Sequence, residues 1–142
     1  MVYALKDKTA LTKLADMAQK NSRYFKIPRE NFMKYVADAV GSPNSIVLLD
    51  EIEGNIFGFI YASVEEYNGE DVCFIQGCVI EGERKETGPK FLSVLKKWCV
   101  LKGLKKILFS CTIDDEGKSR ANAYERKYGF KQTATILSMN VK

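Results

Sequence analysis

The sequence predicts one α/β domain, residues 1–142, in which a mixed and mostly antiparallel sheet is flanked by about four helices. Three observations lead there. The chain has 142 residues, of which 46% are hydrophobic, enough for one core and too few for two. The spacing of the apolar residues switches repeatedly between a helical and a strand period. The resulting order is strand, two helices, three strands, helix, strand, helix, strand (β-α-α-β-β-β-α-β-α-β), with no repeat, low-complexity tract or linker.

Val2 to Leu5 is a short extended segment. Leu11, Leu14, Ala15 and Ala18 then recur at i, i+3, i+4 and i+7, which defines an amphipathic helix. Pro28 suits the first turn of a second helix, whose stripe of Phe32, Tyr35, Val36, Ala39 and Val40 ends at Gly41, with Pro43 beyond. Ser45 to Ile52 is rich in β-branched and apolar residues, and Gly54-Asn55 marks a turn. Ile56 to Val64 reads as the next strand, and Asn68-Gly69 turns the chain into Val72 to Ile80. Residues 45–80 are therefore expected to form two antiparallel hairpins. A polar loop from Glu81 to Lys90 precedes a helix with Phe91, Leu92, Leu95, Trp98 and Cys99 on one face and Lys96, Lys97 and Lys102 on others. Gly103 fits its C-terminal cap. Lys106 to Thr112 reads as a buried strand, Asp114-Asp115-Glu116-Gly117 as an acidic loop, and Ser119 to Tyr128 as a short helix stopped by Gly129. Thr133 to Val141 alternates as a last strand.

The absence of histidine removes Ser-His-Asp and Cys-His catalysis, histidine metal ligation and a histidine proton shuttle together. Any acid or base is then Asp, Glu, Tyr, Lys, Cys or water. Cys73, Cys78, Cys99 and Cys111 sit in apolar stretches without a Cys-x-x-Cys spacing. They read as small core hydrophobes in a reducing compartment, and no metal is expected. Met1-Val2-Tyr3-Ala4-Leu5 meets Lys6 and Asp7 at once, unlike a secretory leader, and no run reaches the ~18 apolar residues of a membrane span. A cytoplasmic protein without membrane contact is expected. The 22 basic and 18 acidic side chains give a formal charge of +4, too little to indicate a nucleic-acid partner, and the lysines are spread over several elements with few aromatics free to stack on bases. The charge is divided unevenly: residues 1–80 carry net −3 and residues 81–142 net +7. An anionic ligand belongs with the second half.

The order of elements, Val79-Ile80 followed by a polar Gly-containing loop and an amphipathic helix, and the ending Tyr124-Glu125-Arg126-Lys127-Tyr128-Gly129-Phe130 together resemble the GNAT superfamily of acyl-CoA-dependent N-acyltransferases. The resemblance covers nearly the whole chain. Its most specific piece is the ending, which is similar to the family's aromatic-Glu-Lys-x-Gly-Phe helix and is preceded, as often in the family, by an asparagine, Asn122. The resemblance implies acetyl-CoA as co-substrate and no metal. In the family the acyl-CoA lies along the fourth strand, which splays from the fifth at a bulge. That strand is Val72 to Ile80 here, with Gly77 the bulge candidate because glycine relaxes the backbone where a ladder breaks. A backbone N–H at Cys78 or Val79 would polarise the thioester carbonyl, and Cys78, Val79 and Ile80 are expected to line the cofactor.

The family's pyrophosphate loop reads Gln/Arg-x-x-Gly-x-Gly/Ala, and three registers are open here: Arg84-x-x-Thr87-x-Pro89, Lys85-x-x-Gly88-x-Lys90 and Glu83-x-x-Glu86-x-Gly88. None is a full match. Thr87 and Gly88 can offer backbone N–H groups at a helix start, where the dipole favours an anion, and Arg84, Lys85 and Lys90 add charge. Pro89 at the first helical position would give up only a spare donor. Asn122 completes the expected cofactor-binding set. Direct transfer needs a neutral amine and an acid for the departing thiolate. Tyr124 is the candidate acid, five residues before Gly129, whereas the family's spacing is four and Glu125 stands there. Glu81 is the candidate base, with Glu65, Glu66 and Glu83 as further carboxylates on the acceptor side and Gln76 able to position a water. Phe91, Trp98 and Tyr128 read as core. Two functions stay open. One is an N-acetyltransferase acting on a primary amine of a small molecule, peptide or protein; the other is a degraded domain of the same fold that binds CoA or a protein without catalysis. Free sheet edges leave room for a homodimer.

Overall fold

Asn68 (φ 52°) and Gly69 (φ 76°) both take the left-handed conformation that a two-residue turn between right-twisted strands demands. They join β3, Asn55–Tyr67, to β4, Glu70–Ile80. The preceding hairpin, from β2 (Ser45–Ile52) to β3, turns at Glu53 and Gly54, one residue earlier than the Gly54-Asn55 expected, and Asn55 is already in the ladder opposite Ile52. The computed structural model describes residues 1–21, 27–82, 84–111, 114–133 and 137–141. They belong to two compact units, Met1–Phe109 and Ser110–Lys142.

In the first unit the sheet order is β1-β2-β3-β4-β5. β1 (Val2–Ala4) is antiparallel to β2, and β5 (Ile107–Phe109) is parallel to β4. Side chains alternate across strands, so the sheet has two faces to cover. On one, α1 (Leu11–Lys20) and α2 (Arg29–Val40) bury Leu14, Ala18, Phe32 and Val36 against Val47, Leu49, Phe59 and Val79. The rings of Phe32 and Phe59 stand 5.7 Å apart. On the other, α3 (Thr87–Lys102) buries Phe91, Leu95 and Cys99, with Trp98 half-buried beside them. Phe91 lies over Gly58, where a Cβ would stand 3.5 Å from the ring and 3.0 Å from the Val79 carbonyl. The lack of a side chain at Gly58 therefore lets α3 and β4 approach β3 closely. Gly103 caps α3 in the left-handed conformation, as its position predicts.

Three elements differ from expectation. β5 is shorter than Lys106 to Thr112: Lys106 stands before the ladder, its carbonyl accepting the Cys73 N–H at 2.9 Å and its ammonium 3.3 Å from Glu70, and the ladder ends at Phe109. Thr112 lies outside the described residues. α4, in the second unit, spans Asp115–Tyr128 and starts four residues before Ser119. The Asp114 carboxylate accepts the Gly117 N–H at 2.7 Å, and Asp115 and Glu116 in the first turn suit the positive end of the helix dipole. The acidic segment is thus a helix cap and first turn. The expected last strand, Thr133 to Val141, falls partly on 134–136, outside the described residues, and 137–141 is not a strand. Leu137, Met139 and Val141 alternate but are 86–95% exposed, and alternation makes a strand only where a ladder satisfies the backbone.

Candidate active site

Among the described residues β4 is paired on both edges only in its first half. Cys73, Phe74 and Ile75 register with Ile107, Leu108 and Phe109, and there the parallel ladder ends. On the β3 side the register jumps from Ala62 opposite Ile75 to Tyr61 opposite Gly77, so Gln76 is an extra residue. The bulge falls at Gln76-Gly77. Beyond it Cys78, Val79 and Ile80 pair with Ile60, Phe59 and Gly58 and have no ladder partner on the other edge among the described residues. Glu81 donates its N–H to the Phe57 carbonyl at 2.8 Å. Donors alternate between edges along an antiparallel ladder, so Val79 and Gly77 also face β3 while Cys78 and Ile80 face the open edge. Of the two N–H groups that the resemblance offers for polarising a thioester, Cys78 is directed to the open edge and Val79 into the sheet. Burial pushes the Cys78 thiol up to about 12, so it stays protonated near neutral pH and is no nucleophile.

The open stretch runs toward the start of α3. This helix begins at Thr87, after Glu86, so Pro89 is its third residue and not its first. It still lies in the first turn, where a missing N–H forfeits no helical bond. Thr87 is fully buried; its hydroxyl donates to Asp50 Oδ2 at 2.6 Å and its N–H to the Arg84 carbonyl at 3.4 Å. Arg84 Nη2 donates to the same Asp50 oxygen at 3.2 Å, and its Nε to Thr87 Oγ1 at 3.3 Å. Arg84 Nη2 also meets Glu86 Oε1 at 3.3 Å, and its guanidinium carbon lies 5.0 Å from the centre of the Phe57 ring. Asp50 is itself fully buried, and its other oxygen accepts from the Met1 amine at 3.2 Å. Burial pushes the Asp50 carboxyl up, but hydrogen bonds from Thr87, the Met1 amine and Arg84 outweigh it and hold the group below the usual aspartate range. Arg84 and Thr87 are therefore turned inward, whereas Lys85 and Lys90 are exposed and Gly88 is half-buried. Glu83 lies outside the described residues.

On the α1/α2 face the bulge carries a polar cluster. Gln76 Nε2 donates to Ser63 Oγ at 3.0 Å and reaches Glu65 Oε1 at 3.5 Å, while Ser63 Oγ donates to Glu65 Oε1 at 2.9 Å. Burial together with the charges of Glu65 and of Asp38 on α2 raises the neighbouring Tyr61 phenol, and Tyr35 adds to the effect. Glu81, at the far end of the open stretch, is half-buried with Oε1 4.0 Å from Lys20 Nζ. Glu66 is exposed near the end of β3.

In the second unit Tyr124 packs on α4 with ring centres 5.7 Å from Tyr128 and 6.2 Å from Phe130. The Asn122 amide oxygen accepts from Gln132 Nε2 at 3.0 Å, and Glu125 accepts the Gln132 N–H at 3.1 Å. Sequence reasoning passed over Asp50, Ser63, Tyr61 and Asp38. Asp50 had a signal: it shares a strand face with Leu48 in an apolar run, where alternation calls for another hydrophobe. Among the described residues no cluster of three or more His, Cys, Asp or Glu side chains could hold a metal, and no helix is long and apolar enough to cross a membrane.

No protein-family model and no curated protein sequence matches the chain. Solved structures do match it. AAC(6')-Iy, an aminoglycoside N-acetyltransferase in complex with the bisubstrate analogue CoA-S-monomethyl-acetylneamine, superposes with a TM-score of 0.80 at 13% identity, over 100% of this chain and 97% of that one. The aminoglycoside 6'-N-acetyltransferase AAC(6')-Ih from Acinetobacter baumannii gives 0.79 at 13% identity, over 100% and 97%. An aminoglycoside acetyltransferase from an uncultured soil metagenomic sample, in complex with sisomicin, gives 0.71 at 16% identity, over 100% and 96%. The chain has the fold of the GNAT superfamily of acyl-CoA-dependent N-acyltransferases.

Proposed function

We propose that residues 1–142 act as one N-acetyltransferase domain, moving an acetyl group from acetyl-CoA directly to a primary amine. The observation that carries this is the half of β4 beyond the bulge, whose outward N–H groups at Cys78 and Ile80 have no ladder partner among the described residues. A pantetheine arm has amides that can pair with such an edge as an added strand would. The thioester carbonyl then meets the Cys78 N–H, which stabilises the negative charge that develops on its oxygen. The amine nitrogen attacks the carbonyl carbon, the C–S bond breaks, and the acetyl group leaves on nitrogen as an amide. The proton released by nitrogen passes through water to a carboxylate, and the thiolate takes a proton from the acid. Glu65, held beside the bulge by Gln76 and Ser63, suits the carboxylate role better than Glu81, which lies four residues beyond Gly77 and faces Lys20. Tyr124 is proposed as the acid on the strength of its place in the Tyr124 to Phe130 segment. Lys85, Lys90 and the first-turn donor at Gly88 are proposed to meet the diphosphate.

The solved neighbours are named for aminoglycosides, which carry several amines, and one holds sisomicin. A cationic small-molecule amine fits the carboxylates of Asp38 and Glu65 around Tyr61. A second reading, a CoA-binding or protein-interaction module without catalysis, draws on the pairing of Arg84 with Asp50 and Glu86, which removes one cation from the loop. Calorimetry with CoA at low salt, followed by a thiol-release assay with acetyl-CoA and a panel of polyamines including sisomicin, separates them. Binding with amine-dependent thiol release is expected. Binding with no turnover on any amine favours the second reading, and no binding of CoA overturns both the transferase and the CoA-binding module.

A further inference from the structure

We propose that Asp50 is a positioning residue for acyl-CoA binding: from inside the sheet it holds Thr87 and Arg84, and so sets where the first turn of α3 meets the diphosphate. The inference rests on the acyl-CoA reading of the open β4 edge. A carboxylate with no solvent exposure on the α3 face of an apolar strand is destabilising unless its oxygens are fully engaged. Two of its partners come from one short stretch, 84–87, more than thirty residues away in sequence. Asp50, Arg84 and Thr87 close a triangle, with each side chain bonded to the other two. The Thr87 N–H is bonded to the Arg84 carbonyl, so backbone and side chains at the helix start are tied to β2 together.

The triangle has a consequence for the loop's cations. Arg84, which sequence alone offers as a phosphate ligand, is neutralised from below by Asp50 and from the side by Glu86. The exposed charge that remains is on Lys85 and Lys90, which flank the first turn. Anion binding at a helix N-terminus depends on donors held within hydrogen-bond reach, so a shift of the turn by about an ångström weakens it strongly. Asp50 touches no ligand in this scheme; it acts through Thr87.

The test compares two acyl donors with the same thioester, acetyl-CoA and S-acetylpantetheine, the second lacking the diphosphate. Asp50→Asn is expected to raise KM for acetyl-CoA about 10-fold while kcat stays within about twofold and KM for S-acetylpantetheine does not move. Thr87→Val is expected to weaken CoA binding by calorimetry about as much, and Thr87→Ser, which keeps the hydroxyl, to restore it. Equal losses on both donors mean a general structural role and overturn the proposal. If Asp50→Asn does not fold, the Thr87 pair decides: CoA binding by Thr87→Val equal to wild type overturns it. Wild-type protein that binds no CoA removes the acyl-CoA reading and this inference with it. Wild-type binding with indifferent variants removes this inference alone.

Discussion

The two halves of β4 belong to one strand and differ in what holds them. From Cys73 to Ile75 the strand has neighbours on both edges, and its outward N–H at Cys73 is bonded to the Lys106 carbonyl. From Cys78 to Ile80 it keeps β3 and has no ladder partner opposite among the described residues. One extra residue, Gln76, separates the two and resets which donors face outward. In the first half backbone hydrogen bonds are used for the fold. In the second the strand is paired to β3 alone, with α3 packed close over Gly58, and the proposed function gives its outward N–H groups to a ligand. Doubly paired backbone makes structure, and singly paired backbone keeps donors of the kind that an extended ligand pairs with.

The sharpest way to break this comparison is to remove one donor from each half. Cys78→Pro deletes an N–H that no strand among the described residues uses and is expected to cut acetyl transfer by about 100-fold or more while the protein still melts cooperatively. Cys73→Pro deletes a ladder bond and is expected to abolish the folded state by circular dichroism. If both proline variants lose fold and activity together, the halves are not functionally distinct. A smaller effect is expected from charge at the end of the open stretch. Lys85→Glu with Lys90→Glu should weaken CoA binding about 10-fold at low salt and much less at about 0.5 M salt, because exposed charges are screened. Calorimetry at the two salt concentrations reads the difference.

Glu65→Gln probes the bulge itself and is expected to raise KM for a cationic amine about 3–10-fold while leaving CoA binding unchanged, since Glu65 lies with Gln76 and Ser63 on the α1/α2 face, away from Thr87. A change in CoA affinity instead would place the acceptor elsewhere. The smallest effect concerns pH. The Asp50 carboxyl is held below its ordinary value of 3.8, so the stability it contributes is complete above that value and is lost as pH falls through the lower, folded-state value. The Tm difference between wild type and Asp50→Asn should be constant near neutral pH and shrink below about pH 4. A difference that grows in acid would show that Asp50 is not ionised in the folded protein.

Much of this architecture is legible in the chain. The stripes of α1, α2 and α3, the Asn68-Gly69 turn, the Gly103 cap and a bulge at Gly77 all follow from local spacing and from what glycine permits. Local rules failed where a side chain was read without its neighbour. Asp114 to Gly117 reads as an acidic loop by residue type, whereas the Asp114 carboxylate caps a helix and Asp115 and Glu116 stand in its first turn. Arg84 looked like a phosphate ligand because a cation beside a Gly-Pro turn suggests one, and its buried partner Asp50 lies in another strand. The alternation of Thr133 to Val141 promised a strand, but residues 137–141 form none.

The sequence by itself determined the order and type of most elements, the exclusion of histidine chemistry and the gathering of positive charge beyond residue 80, because each depends on residue type and on spacing within about a dozen positions. Only the tertiary structure decided which N–H of β4 faces outward, which of the loop's cations is already engaged, and which carboxylate stands at the bulge. Those depend on register and on contacts between residues far apart in the chain, and a shift of one residue in a strand reverses every one of them.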